Sequence, residues 1–184
     1  ATVALIGYGN LGRALAPLLR PFGVRLLAHD PWLSNGYLSS EGLAPVGLAD
    51  ALAKSDVIFL LAGVTSDNEG FLDREMLSLI RRDACVILAS RAEIVDFDDF
   101  LALAAEDAFR AAVDVFPDEP VPANSAWRNT PNVLFSAHLA GGIRASYARI
   151  RGMMLDDIGQ ILKGLPPLRM QKADPQFAAK MRSR

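Results

Sequence analysis

Val3-Ala4-Leu5-Ile6-Gly7-Tyr8-Gly9-Asn10-Leu11-Gly12 sets a short apolar run against three glycines in the spacing G-x-G-x-x-G. The unbroken apolar run reads as a strand, Thr2 to Ile6, buried on both faces. Leu11, Ala14, Leu15, Leu18 and Leu19 then read as the apolar stripe of a helix that Pro21 and Gly23 end. Strand, glycine turn and helix in that order form the context in which this spacing cradles a pyrophosphate. Gly7 permits the tight turn, Gly9 lets the backbone approach the anion, and Gly12 permits close helix-to-strand packing, while the helix N-terminus offers unpaired N–H groups. Gly7, Tyr8, Gly9, Asn10, Leu11 and Gly12 are therefore candidate contacts for a dinucleotide.

Glycines also mark turns in proteins that bind nothing, so a second signal matters. Asp30 stands eighteen residues past Gly12, where a second apolar run, Val24 to Ala28, closes through His29, Asp30 and Pro31. A carboxylate there accepts both ribose hydroxyls and repels a 2′-phosphate, which selects NAD over NADP. The same residue also suits a turn before Pro31. S-adenosylmethionine, which similar sheets bind, would use that carboxylate for its own ribose.

Outward from this start, apolar runs alternate with segments of helical period. Strands are expected at Val57 to Leu61, Cys85 to Ala89, Ala111 to Phe116 and Val133 to Ser136. Helices are expected at Leu48 to Lys54, Arg74 to Ile80, Asp96 to Ala105 and Ala145 to Leu162, the last with Ile150, Met153, Met154, Ile158 and Ile161 on one side. Trp32 to Gly47 reads as loop with one short strand, Gly63 to Gly70 as a polar turn, and Pro117, Pro120 and Pro122 mark another loop. Gly164 and two prolines stop the long helix, and the tail to Arg184 reads as a short terminal helix or a frayed end. The pattern is that of an α/β chain with a Rossmann-type doubly wound parallel sheet in three α/β/α layers, a single domain over 1–184.

The bulk numbers narrow the partners. A net charge of −2 without long charge blocks leaves no footprint for nucleic acid, and no apolar run is long enough for a membrane helix. No metal site is expected. The single cysteine, Cys85, excludes an intrachain disulfide and reads as a buried small hydrophobe. No secretory signal precedes the first strand, so the expected location is cytoplasmic.

Three later segments add chemistry. Ser90-Arg91-Ala92-Glu93-Ile94-Val95-Asp96 resembles A-R-G-x-x-V-D, Asp114-Val115-Phe116-Pro117-Asp118-Glu119-Pro120 resembles D-V-F-x-x-E-P, and Ser136-Ala137-His138-Leu139-Ala140-Gly141-Gly142 resembles P-H-I-A-G. These are motifs of the D-isomer-specific 2-hydroxyacid dehydrogenases, in that family's order. The resemblance implies that Arg91 holds a substrate carboxylate, His138 exchanges a proton and Glu119 orients the imidazole. It also implies cofactor contacts at Thr65, Ser90, Arg91, Asp114, His138, Ala140 and Gly141, a small 2-hydroxy or 2-keto acid such as hydroxypyruvate, glyoxylate or phosphoglycerate, and a homodimer. The residue types suit those roles: a guanidinium presents a fork to a carboxylate, and imidazole exchanges protons near neutral pH. Taken singly, Arg91 also suits a strand-end cap, Glu119 a loop carboxylate and His138 a satisfied histidine at a strand terminus.

The sequence departs from the family pattern in three places. Leu61-Ala62-Gly63-Val64-Thr65 stands where the family has H-x-P-x-T, keeping only the threonine. Ala92 replaces a glycine, which disfavours positive φ and is expected to shift a turn. The family's substrate lobe precedes its glycine loop, whereas this chain starts six residues before Gly7; the reading is of the cofactor domain of a longer enzyme, binding NADH with slow turnover or none by itself. The alternative is a regulatory protein of the corepressor type that senses NADH without turnover.

Overall fold

The computed structural model describes residues 1–170. The chain forms two compact units, Ala1–Ala137 and His138–Arg184.

The first unit is built on seven strands: β1 (Thr2–Ile6), β2 (Arg25–His29), β3 (Ala44–Pro45), β4 (Val57–Leu60), β5 (Cys85–Leu88), β6 (Arg110–Val113) and β7 (Val133–Phe135). They pair in the order β3-β2-β1-β4-β5-β6-β7, every pair parallel. The chain lays strands outward from β1 to β3, then returns to β4 on the other side of β1. This reversal makes the gap between β1 and β4 the switch point, where open α/β sheets bind ligands beyond their strand C-termini.

Alternation along β1 explains the layering. Val3 and Leu5 enter one cluster with Ala16 of helix α1 (Asn10–Leu19) and Leu38 of α2 (Asn35–Ser40). Ala4 and Ile6 enter the other, with Ala51 and Leu52 of α3 (Leu48–Lys54), Leu77 of α4 (Arg74–Leu77) and Phe100 of α5 (Phe97–Ala105). Successive strand side chains point to opposite faces, so both faces of β1 are buried under helices.

Several expectations change. Trp32 to Gly47 holds α2 as well as the short β3; Ser34 is the N-cap, its hydroxyl accepting from the Tyr37 N–H, so a Ser-Asn-Gly stretch that reads as a turn starts a helix. In α1 the inward residues are Gly12, Leu15, Ala16 and Leu19, while Leu11 and Leu18 face solvent. Small side chains let this helix lie close to the sheet. Cys85 is half-buried rather than buried. Ala92 opens a 3₁₀ turn, Ala92–Ile94, in the main core and has no positive φ, so its methyl is accommodated by packing. Strands and helices otherwise fall within a few residues of the expected spans.

The second unit contains α6 (Arg144–Leu162). Of the apolar residues expected on one side of it, Ile150, Met154, Ile158 and Ile161 are exposed and Met153 is half-buried, and the one buried residue of the helix is Asp157. Its carboxylate accepts the backbone N–H groups of Leu168, Arg169 and Met170 at 2.7–2.9 Å, folding the segment after the helix back onto it. Residues 171–184, where most of the expected tail falls, lie outside the described residues.

Candidate functional site

The glycine turn sits at the switch point. Gly7 has φ +96°, and a Cβ there would lie 2.7 Å from the Ala62 nitrogen and 2.8 Å from its Cα. Both are backbone atoms of the segment after β4, so the turns after β1 and β4 touch and only glycine fits. Ala62 is part of the departure from H-x-P-x-T, and its backbone forms the floor on which the turn rests. A Cβ on Gly12 would meet the Gly7 carbonyl oxygen at 2.9 Å, the close packing assigned to the third glycine. At Gly9 a Cβ would meet nothing within 4 Å.

Gly9 is also the N-cap of α1, with no side-chain cap and no acidic residue in the first turn. The first turn thus presents helix N–H groups and the positive end of the helix dipole to the open space over Gly9. This is the surface a pyrophosphate needs. Leu11 lies exposed in the same turn, and Asn10 has hydrogen-bonding or electrostatic partners of its own.

Asp30 follows β2 directly. Its Oδ2 accepts the Tyr8 N–H at 2.8 Å and its Oδ1 the Trp32 N–H at 2.9 Å. The carboxylate therefore locks the glycine turn and the Pro31 turn at once, and each oxygen has a further lone pair for a ribose hydroxyl. Both readings of Asp30, turn-former and ribose acceptor, are compatible in one geometry. The Tyr8 side chain is buried and turns away from this edge, its hydroxyl bonded to Glu41 Oε2 at 3.2 Å. Burial first, and the Glu41 carboxylate next, push the phenol above its ordinary value, so it stays a neutral donor.

The remaining candidates of the first unit follow the C-terminal ends of β4, β5 and β6. Thr65 is buried, its N–H and hydroxyl bonded to Asn68 Oδ1 at 2.7 and 3.2 Å, and Asn68 Nδ2 donates to the Gly63 carbonyl. Thr65 and Asn68 thus give the segment after β4 an internal frame. Ser90 is buried with its hydroxyl donating to the Leu60 carbonyl at 3.0 Å, which stitches the ends of β4 and β5. Arg91 is exposed, one guanidinium nitrogen donating to the Ser90 carbonyl at 2.7 Å. Asp114 is buried directly after β6, its N–H bonded to the Leu88 carbonyl. Glu119, also exposed, folds back so that its Oε1 accepts the Phe116 N–H at 3.0 Å.

His138 opens the second unit, three residues after β7 ends at Phe135. It has φ +53°. A non-glycine residue in the left-handed region persists where its surroundings demand it, and such residues cluster at functional sites. Ala140 and Gly141 follow it as exposed residues. His29, the other histidine, is a strand residue whose Nδ1 lies 3.2 Å from the Val46 carbonyl oxygen. Among the described residues no group of three or more His, Cys, Asp or Glu could hold a metal ion.

Sequence reasoning missed the polar frames around the site: Asn68, Glu41 and Arg128. The last is an arginine next to Trp127 that has no motif to mark it. No helix among the described residues is long and apolar enough to cross a membrane.

Residues 1–140 match the D-isomer specific 2-hydroxyacid dehydrogenase family in its NAD-binding domain. The chain is 26% identical to a hydroxypyruvate reductase of Blautia hydrogenotrophica over 165 residues, 89% of this chain and 51% of that protein. It is 29% identical to a D-3-phosphoglycerate dehydrogenase of Synechocystis over 167 residues, 90% of this chain and 30% of that protein. It thus spans about half or less of the length of these relatives. A phosphoglycerate oxidoreductase from Rhizobium etli superposes with a TM-score of 0.84 at 40% identity, over 94% of this chain and 52% of that one. With the glycine turn at the switch point and a carboxylate closing β2, the chain belongs to the D-isomer-specific 2-hydroxyacid dehydrogenase family and carries its NAD-binding domain.

Proposed function

We propose that the protein containing this chain transfers hydride between NAD(H) and a small D-2-hydroxy or 2-keto acid. The observation that carries this reading is the order of groups after successive neighbouring strands: Arg91 after β5, Glu119 after β6 and His138 after β7, on a sheet whose switch point bears the glycine turn. The nicotinamide supplies the hydride.

The chain's own residues do the rest. Arg91 takes the substrate carboxylate in its planar fork and polarises the adjacent carbonyl. His138 donates a proton to the carbonyl oxygen as the keto acid is reduced and removes it in the reverse direction. By the family resemblance, the role of Glu119 is to orient the imidazole. Asp30 holds the adenosine ribose, the N-terminus of α1 holds the pyrophosphate, and Asp114 takes the carboxamide. Ser90 and Thr65 support these contacts through the ends of β4 and β5.

The names of the relatives support glyoxylate, hydroxypyruvate and phosphoglycerate as substrates to try. A homodimer, supported by the apolar residues that α6 exposes, and a cytoplasmic location complete the proposal. The test is NADH absorbance of the full-length protein with these acids in both directions. Turnover that falls by about three orders of magnitude in His138→Ala is expected. Absence of turnover with every acid, in protein shown to be folded and to bind NADH, would reject the enzyme.

A further inference from the structure

We infer that Arg128 is a positioning residue: its guanidinium clamps the proline loop and thereby sets Glu119. The inference rests on the role proposed for Glu119 above.

Pro117, Pro120 and Pro122 bring no N–H groups, so the loop that carries Glu119 is poor in backbone donors; the Ser125 N–H reaches the Pro122 carbonyl at 3.0 Å. Arg128 adds two donors. Its Nη2 donates to the Val121 carbonyl at 2.6 Å and its Nε to the Pro122 carbonyl at 2.9 Å. Val121 lies between two prolines and two residues from Glu119, and proline's locked φ carries the fixed direction back along the chain. At the other end Glu119 Oε1 accepts the Phe116 N–H, so both flanks of the loop are held.

The clamp is itself anchored. Arg128 belongs to the 3₁₀ turn Ala126–Asn129, which Ser125 caps by accepting the Trp127 N–H. The Trp127 ring meets Phe97 of α5 at 4.9 Å and donates its indole N–H to Asp98 at 3.1 Å. Phe97 in turn packs edge-on against Phe116, where the loop begins. Helix α5, Trp127, Arg128 and Val121 thus form one continuous mechanical path to Glu119. A fork with two donors in a fixed plane suits two carbonyls in a row, whereas a lysine reaches one.

Steady-state kinetics of the full-length protein and amide hydrogen exchange test this together. Arg128→Met is expected to lower kcat about tenfold with KM for NADH within about twofold, because a displaced Glu119 costs orientation and not cofactor binding. Arg128→Lys should recover part of the loss, and it serves as the test variant if the methionine variant does not fold. In a Glu119→Gln background the Arg128 substitution should add nothing, since both act through one carboxylate. Losses that multiply, or a kcat unchanged in Arg128→Met, would overturn the inference. Exchange at the Phe116 N–H, whose acceptor is Glu119, reads the loop whether or not the protein turns over: about tenfold faster exchange in Arg128→Met and a smaller acceleration in Arg128→Lys are expected, and unchanged exchange overturns the clamp. Lack of turnover in the unaltered protein would reject the dehydrogenase and leave this readout intact.

Discussion

At Gly7 an added Cβ would stand 2.7 Å from backbone that cannot move aside, at a φ of +96°. Gly7→Ala therefore strains the fold itself, at about 1–3 kcal/mol for the conformation alone and more for the contact. Lower yield and a clearly lower unfolding midpoint are expected. Gly9→Ala meets open space, so its stability should change by about 0.5 kcal/mol or less, while NADH affinity drops about tenfold or more because the methyl occupies the anion's approach. Calorimetric titration beside thermal unfolding separates the two; equal effects at both positions would contradict the assignment. These glycines are legible in the sequence because their steric demands are local and the spacing records them. Ser90 and Thr65 are legible as positions but not as contacts. The partner of Ser90 is a carbonyl thirty residues away, and that of Thr65 is an asparagine that no motif marks.

Helix α2 shows why an element can escape sequence reading while its neighbours do not. Six residues with a glycine and three polar groups carry no apolar period; one buried leucine, Leu38, and one cap hold the helix. Ser34→Ala should lower stability by about 1 kcal/mol in urea unfolding, the ordinary worth of an N-cap. The turn after α2 also matters to the glycine loop. Glu41 accepts from the Tyr8 hydroxyl, and its carbonyl accepts from Arg20 at 2.6 Å, linking α1, α2 and the first loop. Tyr8→Phe is expected to cost about 1 kcal/mol, the usual net value of a side-chain hydrogen bond. A Tyr8→Phe protein as stable as its parent would show this tie to be idle. In α1 the period is legible but its phase is not, because leucine outranks glycine and alanine as an apolar residue while the close approach to the sheet requires the small ones. Parallel strands, by contrast, are apolar runs bounded by turns, and most are readable within a few residues; the two-residue β3 is too short to be placed and β6 ends three residues before the expected Phe116.

Each of the two compact units has a carboxylate tie that depends on ionisation, so acid should act on the whole molecule through both. In the first, Asp56 accepts the Thr2 N–H at the start of β1 and pairs with Arg81 at 2.6 Å. The Thr2 hydrogen bond above all, with Arg81 adding to it against a smaller opposing effect of burial, holds Asp56 below the ordinary 3.8. In the second, burial opposes ionisation of Asp157, yet its three backbone N–H donors and Arg169 outweigh it and the shift is again downward. The sign follows from linkage. A carboxyl with a lower pKa in the folded protein binds fewer protons there than in the unfolded chain, so stability rises with pH across the interval between the two values. Each contribution is fully present above about pH 5 and fades as pH falls through 3.8 and below. Urea unfolding from pH 6 to pH 3 should show a falling midpoint. Asp56→Asn and Asp157→Asn should each flatten that slope, because an amide neither titrates nor attracts Arg81 or Arg169. An unaltered slope in both variants would place the acid lability elsewhere, and a flattened slope in one alone would assign it to the unit that contains that carboxylate.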